Sequence, residues 1–481
     1  MTMFNNKDIS IYIIAIIASM GGLLFGFDMG VLSGAIPFLQ LDWHINNNII
    51  EMITASSLLG AVLGAMISGR IVETIGRKKV ITVASLIFVV GTILSSISVD
   101  AIFLIFSRFI SGIAIGIISF VVPLYIAEIS PNKIRGSLVA LFQLMVSVGL
   151  LLSYLSDLIL ADNSDLTCWR NMFYVDVITG LILLFGVLFL PESPRWLINK
   201  GFIDEARMIL FKFCEKEEID ECVNNIILEK KQNDRNVSWR ELFTPMMKYP
   251  MIIVIGIMFF QQFIGINTVI YYSPKIFLMA GFDGPISAIA AAVGIGVMNV
   301  IFTIISAKLV DKLGRRKLYF TGLVGINISL CILSISFMFS EGLGNWGKWL
   351  DVACLFSYVS FFSLSIGPLA WLIVSEVFPM RLRAYGSSLG SFVMWVFNTL
   401  VSFTFFKLVK FLSFGSVVET GEGEILGNPA GAFLFYAIIA LLGIIWGYFY
   451  LPETKGLSLE KIEKFWKQNG KPINMKKVLR S

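Results

Sequence analysis

Long apolar segments recur along the whole of this 481-residue chain, and they limit its possible folds more than any other feature. Each is close to the about 20 residues that a helix needs to cross the hydrocarbon core of a bilayer. Only 15% of the residues are charged, against roughly a quarter in an ordinary soluble domain. The sequence therefore predicts an all-α membrane protein. Twelve transmembrane helices are predicted, near residues 11–38, 51–70, 80–98, 101–127, 137–157, 171–190, 250–279, 286–307, 318–339, 350–375, 384–409 and 431–451.

Basic residues cluster in every second loop, which indicates how the chain is oriented. The clusters lie at 70–79, 133–135, 308–317 and 381–383, after Arg195, and in the tail from Lys461. The positive-inside rule predicts that these loops and both termini are cytoplasmic. The net charge of +5 then reflects topology, so no nucleic-acid partner is predicted. The opposite loops contain no Asn-x-Ser/Thr glycosylation acceptor, which favours a bacterial inner membrane over a eukaryotic plasma membrane.

Catalytic and metal-binding patterns are absent from the sequence. It contains no nucleotide-binding loop, metal-ligand cluster or nucleophile-base arrangement. The five cysteines show no metal-ligand spacing and do not indicate a disulfide framework. We therefore predict that the chain is not an enzyme and holds neither a metal nor a cofactor.

Three sequence segments occur twice, in the same order. "GRIVETIGRKK" reappears as "AKLVDKLGRRK", "EISPNKIRG" as "EVFPMRLRA", and, more weakly, "PESPRWL" as "PETKGLS"; their positions are 69–79 and 307–317, 128–136 and 376–384, and 191–197 and 452–458. This repetition indicates a duplicated six-helix unit. Two such repeats around a central site are the architecture of a secondary transporter.

The repeat and the charged segment between its copies define the predicted domains. Residues 195–249 are charged and patterned as helix, so they are predicted to form a cytoplasmic helical linker. The N-terminal six-helix bundle is expected at 1–194 and the C-terminal bundle at 250–456. Residues 457–481 would then be a cytoplasmic tail.

Seven motifs, in order and in both halves, carry a resemblance to a known family. They are "GRIVETIGRKK", "RFISGIAIGIISFVVPLYIAEISPNKIRG", "PESPRW", "QQFIGINTVIYYSP", "VDKLGRRK", "GPLAW" with "SEVFPMRLRA", and "PETKG". Together they resemble the sugar porter family of the major facilitator superfamily. The resemblance implies a sugar transporter with the major facilitator fold that works by alternating access and is expected to function as a monomer.

Charged residues at the cytoplasmic helix ends are predicted to form a gate. Glycines let helices approach closely, and basic side chains at helix ends can bridge to acids on adjacent helices. Such bridges can form in one conformation and break in the other. The alternative is that they only anchor the helices and set topology. The gate residues are Arg70, Glu73, Arg77, Glu128, Arg135, Asp311, Arg315, Arg316, Glu376 and Arg383.

Asp28, in the stretch "FGFDMG", lies inside an apolar span, and Arg108 and Asp176 are expected at the same depth. An intramembrane carboxylate is costly unless paired and suggests a functional site. Arg108 nearby favours the ionised form of Asp28, whereas its displacement into a dry site favours the protonated form. A static bridge is the alternative. The resemblance implies proton coupling. Proton-coupled bacterial members of the family carry an Asp at the position that matches Asp28, whereas facilitative animal members carry an Asn there. Arg108 would modulate Asp28, and Asp176 would have a supporting role.

A sugar needs neutral amides for its hydroxyls and aromatic rings for its C–H faces. The resemblance implies such a site, although a polar residue in a membrane helix often only bonds a neighbouring helix. Expected substrate-binding residues are Gln143, Gln261, Gln262, Asn267, Asn299, Trp371 and Trp395, with Phe25, Tyr271 and Tyr272 as wall or gate residues.

Two departures from the family pattern leave the substrate open. Leu150 stands where xylose-type symporters carry a second Gln, and Met394 stands where bacterial relatives carry Gln or Asn. A different sugar or a polyol therefore remains possible. The functional alternatives are a facilitative sugar or polyol uniporter without proton coupling, against which Asp28 argues, and, more remotely, a sugar sensor.

Overall fold

The structure is a computed structural model of the chain. It describes residues 6–130, 134–211, 219–220, 223–224, 226–227, 239–339, 342, 344–379, 382–413, 418–419, 425–455, 462, 464–466 and 472.

Twelve spans in the described residues are long and apolar enough to cross a membrane, which confirms the predicted number. The first six are single helices: Asn6–Trp43, Asn47–Ile75, Arg77–Ser96, Ala101–Ile129, Arg135–Leu160 and Trp169–Leu188. The seventh comprises Lys248–Phe263 and Ile266–Met279, and the tenth comprises Asn345–Leu364 and Ile366–Val377. The eighth, ninth, eleventh and twelfth are Pro285–Leu313, Arg315–Met338, Arg383–Phe411 and Ala430–Tyr450.

Short elements connect these spans. Two helices, Pro194–Lys200 and Ile203–Leu210, follow the sixth span, and 3₁₀ turns occur at Leu166–Cys168, Trp239–Phe243 and Pro245–Met247. Strands Val418–Glu419 and Ile425–Leu426 form an antiparallel pair before the twelfth span, a small addition to the predicted all-α fold. Most of the predicted tail lies outside the described residues, but Trp466 in it is buried and its indole N–H donates to the Val377 carbonyl over 3.0 Å.

The repeat is clearest in two tight turns, at Gly76 and Gly314, where φ is +97° and +89°. After Gly76, the Glu192 carboxylate accepts from the backbone N–H of Arg77 at 2.9 Å. After Gly314, the Glu453 carboxylate accepts from the backbone N–H of Arg315 at 3.1 Å. In each half an acid therefore caps the exposed amides at the start of a span. This shared role explains the weakest sequence echo, "PESP" and "PETK".

Two names distinguish the sides of the helix bundle. The basic side carries the turns at Gly76 and Gly314, and the far side carries the loops at His44 and Gly281. The halves meet where the second span packs against the eleventh and the fifth against the eighth, and the first span also packs against the seventh.

A row of glycines brings the first and fifth spans into backbone contact. Its members are four residues apart and so share one helix face. A Cβ at Gly26 would lie 1.9 Å from the Val146 carbonyl oxygen, and one at Gly34 would lie 2.3 Å from a carboxyl oxygen of Asp157. The row consists of Gly22, Gly26, Gly30 and Gly34.

Replacing Gly26 by Ala should destabilise the protein strongly. The new methyl group meets backbone, which cannot rotate away, so the helices must separate; overpacking of this kind costs about 1–3 kcal/mol. Thermal unfolding in detergent should show a lower midpoint. Gly69→Ala is the matched control, because a Cβ there meets nothing within 4 Å. Equal midpoints for the two variants would contradict this packing.

Candidate functional site

The Asp28–Arg108 pair is the most deeply buried ion pair in the described part of the chain. Asp28 is 2% exposed and Arg108 1%. Both terminal nitrogens of the Arg108 guanidinium donate, one to each carboxylate oxygen of Asp28, with the Nη2 to Oδ2 distance at 2.9 Å. The Arg108 guanidinium also lies 5.6 Å from the centre of the Phe173 ring. The first and fourth spans are thus joined by a two-pronged contact in an apolar setting.

Asp176, on the sixth span, lies close enough to both partners to interact with their charges. It is 0% exposed, and its Oδ1 accepts from the Thr179 hydroxyl at 2.9 Å. Its Oδ2 has no hydrogen-bond partner among the described residues. The structure therefore brings the three predicted charges together, although their role in coupling stays a prediction.

Three predicted amides form one chain where the seventh span breaks. The break falls at Ile264 and Gly265, the latter with φ of +88°. The Asn267 amide donates to the Gln262 carbonyl oxygen at 2.5 Å, and the Gln262 amide donates to that of Gln261 at 3.2 Å. The Gln261 amide donates to the Gly367 carbonyl at 2.9 Å, beside the break in the tenth span. Trp371 lies one helical turn after Gly367 and is partly exposed.

A second polar group joins the fifth and eighth spans across the two halves. The Asn299 side-chain oxygen accepts from the Ser147 hydroxyl at 2.8 Å and from that of Thr303 at 3.3 Å. Gln143 lies one turn before Ser147 and is partly exposed. Ser147 and Thr303 were not predicted, although their spacing of four residues from Gln143 and Asn299 was the available signal.

Aromatic residues form a third contact between the halves. The rings of Phe25 and Trp395 lie 5.3 Å apart, and the Trp395 indole N–H donates to the Ser119 hydroxyl at 3.3 Å. Trp395 is only 1% exposed. The predicted wall residue Phe25 and the predicted sugar-binding Trp395 therefore pack together, and Ser119 is an addition to the site.

The two departures from the family pattern are both buried. Leu150 packs against Gly30 in the glycine row, where its Cδ1 would be 3.2 Å from an added Cβ. Met394, next to Trp395, is 6% exposed.

Pro274 frees a backbone carbonyl of the seventh span on the far side. A proline has no N–H, so the carbonyl of Ile270, four residues earlier, lacks its helical partner. The Tyr154 hydroxyl of the fifth span donates to this carbonyl at 2.8 Å. The hydroxyls of Ser33 and Ser273 lie 3.3 Å apart nearby. A carbonyl freed in the C-terminal half thus accepts a hydrogen bond from the N-terminal half.

The predicted gate tyrosines lie beside this closure. The Tyr272 hydroxyl donates to the Ser402 carbonyl at 3.0 Å, and its ring stacks on Phe405 at 5.4 Å. Tyr271 is 3% exposed and near Asp28. Both therefore line the far-side closure, and their role as a gate stays a prediction.

Two further polar contacts that the sequence did not predict join the halves on the far side. The Glu51 carboxylate accepts from the backbone N–H of Phe406 at 2.8 Å, and the Lys407 ammonium lies 3.2 Å from it. The Lys275 ammonium donates to the side-chain oxygen of Gln40.

Replacing Tyr154 by Phe should loosen the far-side closure. The variant leaves the buried Ile270 carbonyl without its donor, which costs on the order of 1–3 kcal/mol. Amide hydrogen exchange in Ile266–Met279 should then become faster, as measured by mass spectrometry. Tyr319→Phe is the control, because that hydroxyl binds the Gly443 carbonyl within one half, at 3.0 Å. An unchanged rate in the Tyr154 variant would show that this bond does not hold the closure.

The predicted gate charges pair on the basic side, within each half. Arg77 donates to Glu73 and to Glu128, both at 2.8 Å. In the other half Arg315 donates to Glu376 at 2.8 Å.

The remaining predicted gate residues differ in their contacts. Arg316 donates to the backbone carbonyl of Tyr448 at 2.8 Å and not to an acidic side chain in this contact. Arg70 is exposed. The side chains of Arg135, Asp311 and Arg383 lie outside the described residues. Gating itself stays a prediction.

Known proteins resemble the chain over almost its whole length. Residues 14–466 match the model of the family described as "Sugar (and other) transporter". The D-xylose transporter of Levilactobacillus brevis is 38% identical over 447 residues, covering 92% of this chain and 93% of the relative. Probable polyol transporter 6 of Arabidopsis thaliana is 35% identical over 481 residues, covering 95% and 94%.

Solved structures show the same fold. The proton:xylose symporter XylE of the major facilitator superfamily, bound to 6-bromo-6-deoxy-D-glucose, matches with a TM-score of 0.78 at 28% identity, covering 95% of this chain and 99% of the symporter. The inward-open conformation of XylE from E. coli matches with a TM-score of 0.77 at 28% identity, covering 95% and 100%. These proteins are transporters, which confirms the prediction that the chain is not an enzyme. The chain belongs to the sugar transporter family of the major facilitator superfamily.

Proposed function

We propose that the chain carries a monosaccharide across the membrane together with protons, by alternating access. The observation that carries this proposal is the Asp28–Arg108 pair, which is almost completely buried and lies beside a further acid, Asp176. Relatives named for D-xylose transport and for proton:xylose symport support it. No other cofactor is needed, and a single copy of the chain contains every proposed site residue.

Alternating access requires that one side closes while the other opens. On the far side, hydrogen bonds such as Tyr154 to Ile270 join the halves. On the basic side the gate charges pair within each half, Arg77 with Glu128 and Arg315 with Glu376. These features support a conformation that is closed on the far side and open towards the basic side. We place the basic side and both termini in the cytoplasm, in keeping with the positive-inside rule.

The Asp28 carboxyl provides the proposed coupling step. A proton that binds to Asp28 removes its negative charge and with it the ion pair that joins the first and fourth spans. A neutral carboxyl and a released Arg108 then favour a different packing of these helices. Because the pair can exist only in one protonation state, proton binding and conformation are linked.

The sugar is proposed to bind at the amide chain of Gln261, Gln262 and Asn267, with Trp371 beside it and Trp395 and Asn299 on facing elements. Amides can donate and accept in the same contact, as a ring with several hydroxyls requires. A polyol is the second candidate substrate, because a 35% identical relative is named as a probable polyol transporter. Polyols present the same hydroxyls without a closed ring.

Sugar-driven proton movement tests the proposal. Purified protein is reconstituted in weakly buffered liposomes, and a pH electrode follows the medium as xylose, glucose or a polyol is added outside. A symporter should make the medium alkaline as it moves protons inward, and a protonophore should abolish the change. Sugar entry with no pH change would instead identify a facilitative uniporter.

A further inference from the structure

Asp157, in the last turn of the fifth span, is a buried acid that the coupling step above does not use. It is 0% exposed, and within the described part of the chain neither carboxyl oxygen has a hydrogen-bond partner. The carboxyl group lies against Gly34 of the first span. Any side chain at position 34 would occupy its place, so the glycine row leaves room for this acid.

The charged neighbour of Asp157 is Asp176 on the sixth span. One oxygen of Asp176 also lacks a hydrogen-bond partner among the described residues. Asp176 interacts in turn with the charges of Asp28 and Arg108. The four residues therefore form one connected set of charges on the first, fourth, fifth and sixth spans.

Other titratable groups nearby are tyrosines. Tyr154, on the same helix as Asp157, uses its hydroxyl to bind the Ile270 carbonyl at 2.8 Å. Tyr271 faces Asp28 and Arg108 from the seventh span. The adjoining part of the eighth span, residues 285–300, contains no titratable side chain. Two further cations lie on these elements: Arg170 of the sixth span donates to the Ser96 carbonyl at 3.3 Å, and Lys275 of the seventh donates to the side-chain oxygen of Gln40. Arg108 is the cation that acts on the acids of the set.

The balance of charge argues against three ionised acids. Arg108 already donates to both oxygens of Asp28, which leaves Asp157 and Asp176 without a cation of their own. A buried carboxylate without a partner costs several kcal/mol, on the order of the desolvation penalty of a single ion. A buried carboxyl group with neither a cation nor a hydrogen-bond donor avoids this cost by binding a proton.

We propose that Asp157 is a second proton-binding residue, whose carboxyl group holds a proton in the membrane near the Asp28–Arg108 pair. The proton can pass to Asp28: the O–H bond on Asp157 breaks, another forms on Asp28, and the negative charge of Asp28 is transferred to Asp157. Its part in coupling rests on the proposed symport, whereas the presence of the proton does not.

Infrared spectroscopy of the reconstituted protein tests for the proton without any transport. The C=O stretching band of a protonated carboxyl group is read at neutral pH in the parent and in Asp157→Asn. The variant should lose intensity in this band and none in the carboxylate bands. If the Asn variant folds poorly, the same loss of C=O band intensity is measured in Asp157→Ala, whose side chain is smaller. Loss from the carboxylate bands, or no change at all, would overturn the proposal.

A transport measurement tests whether the proton on Asp157 takes part in coupling, which the infrared bands do not show. In liposomes with an inward proton gradient, Asp157→Asn should accumulate less sugar than the parent, while exchange without a gradient is retained. Asp351→Asn is the matched control, because Asp351 is a 2% exposed acid of the tenth span with one unpartnered oxygen among the described residues. It should accumulate sugar as the parent does.

The two proposals fail in different ways. If the parent only equilibrates sugar, the proposed symport is wrong, and the infrared bands still decide whether Asp157 holds a proton. If the parent accumulates sugar and Asp157→Asn does so equally, symport stands and the role of Asp157 in coupling is wrong.

Discussion

Replacing Asp28 by Asn is expected to abolish sugar accumulation while leaving exchange of sugar between the two sides of the membrane. Asn has the shape of Asp but cannot change its charge, so transport loses its dependence on protons. In liposomes with an inward proton gradient, the parent should concentrate radiolabelled sugar and the variant should reach only the outside concentration. Both should exchange labelled for unlabelled sugar when no gradient is present.

The stability of this variant needs a separate measurement. Breaking a buried ion pair by removing one partner typically costs about 3–5 kcal/mol. Asp176 remains near Arg108 and provides a counter-charge, so we expect a loss at the low end of this range. Asp42→Asn is the control on the same helix, since Asp42 accepts only from the Trp169 indole among its described contacts, at 3.0 Å. Full accumulation by Asp28→Asn would exclude Asp28 as the coupling residue.

Replacing Gln262 by Ala should weaken sugar binding about 10- to 100-fold. The truncation removes one amide from the proposed site and leaves the Asn267 amide and the Gln261 carbonyl oxygen without a partner. Unpaired buried polar groups cost about 1–3 kcal/mol each, and part of that cost appears as lost affinity. The sugar concentration that gives half-maximal exchange, and calorimetric binding in detergent, should both rise by this factor.

Asn327→Ala serves as the control for the loss of an amide. Its side chain donates to the Ala437 carbonyl at 2.6 Å, between the ninth and twelfth spans and away from the break in the seventh. It should lower stability without changing the affinity for sugar. An unchanged affinity in the Gln262 variant would place the sugar elsewhere.

Hydropathy predicted the spans well because membrane crossing depends on composition over about 20 residues. The twelfth span was predicted at 431–451 and is found at Ala430–Tyr450. The eighth was predicted to end near 307, but its helix continues to Leu313. The difference arises because the helix persists through "KLVDKL" beyond its apolar part, which hydropathy does not register.

Helix breaks were harder to predict than spans. The seventh and tenth spans are apolar on both sides of their breaks, so composition carries no signal there. In the seventh span Gly265 marks the break, and Pro274 leaves a backbone carbonyl without its helical hydrogen bond. The donor to that carbonyl is Tyr154, which lies in the other half. Contacts between distant spans of this kind cannot be derived from local sequence.

The burial of Asp157 likewise depends on a contact with a distant span and could not be derived from local sequence. The predicted fifth span ended at 157, and Asp157 was not among the predicted site residues. The helix instead continues to Leu160, and the glycine row of the first span covers the carboxyl group. The motif "GLLFGFDMGVLSG" contained that information, since glycines four residues apart indicate a close helix contact. It did not indicate which helix would be the partner.

Sugar accumulation by the unmodified protein tests the central claim most directly. Liposomes containing the purified chain are given labelled sugar with and without an inward proton gradient, while potassium and valinomycin hold the membrane potential at zero. Proton-coupled symport predicts that the sugar inside rises above the outside concentration only when the gradient is present. Filling to the outside concentration in both cases, at equal rates, would contradict the claim and identify the protein as a facilitator.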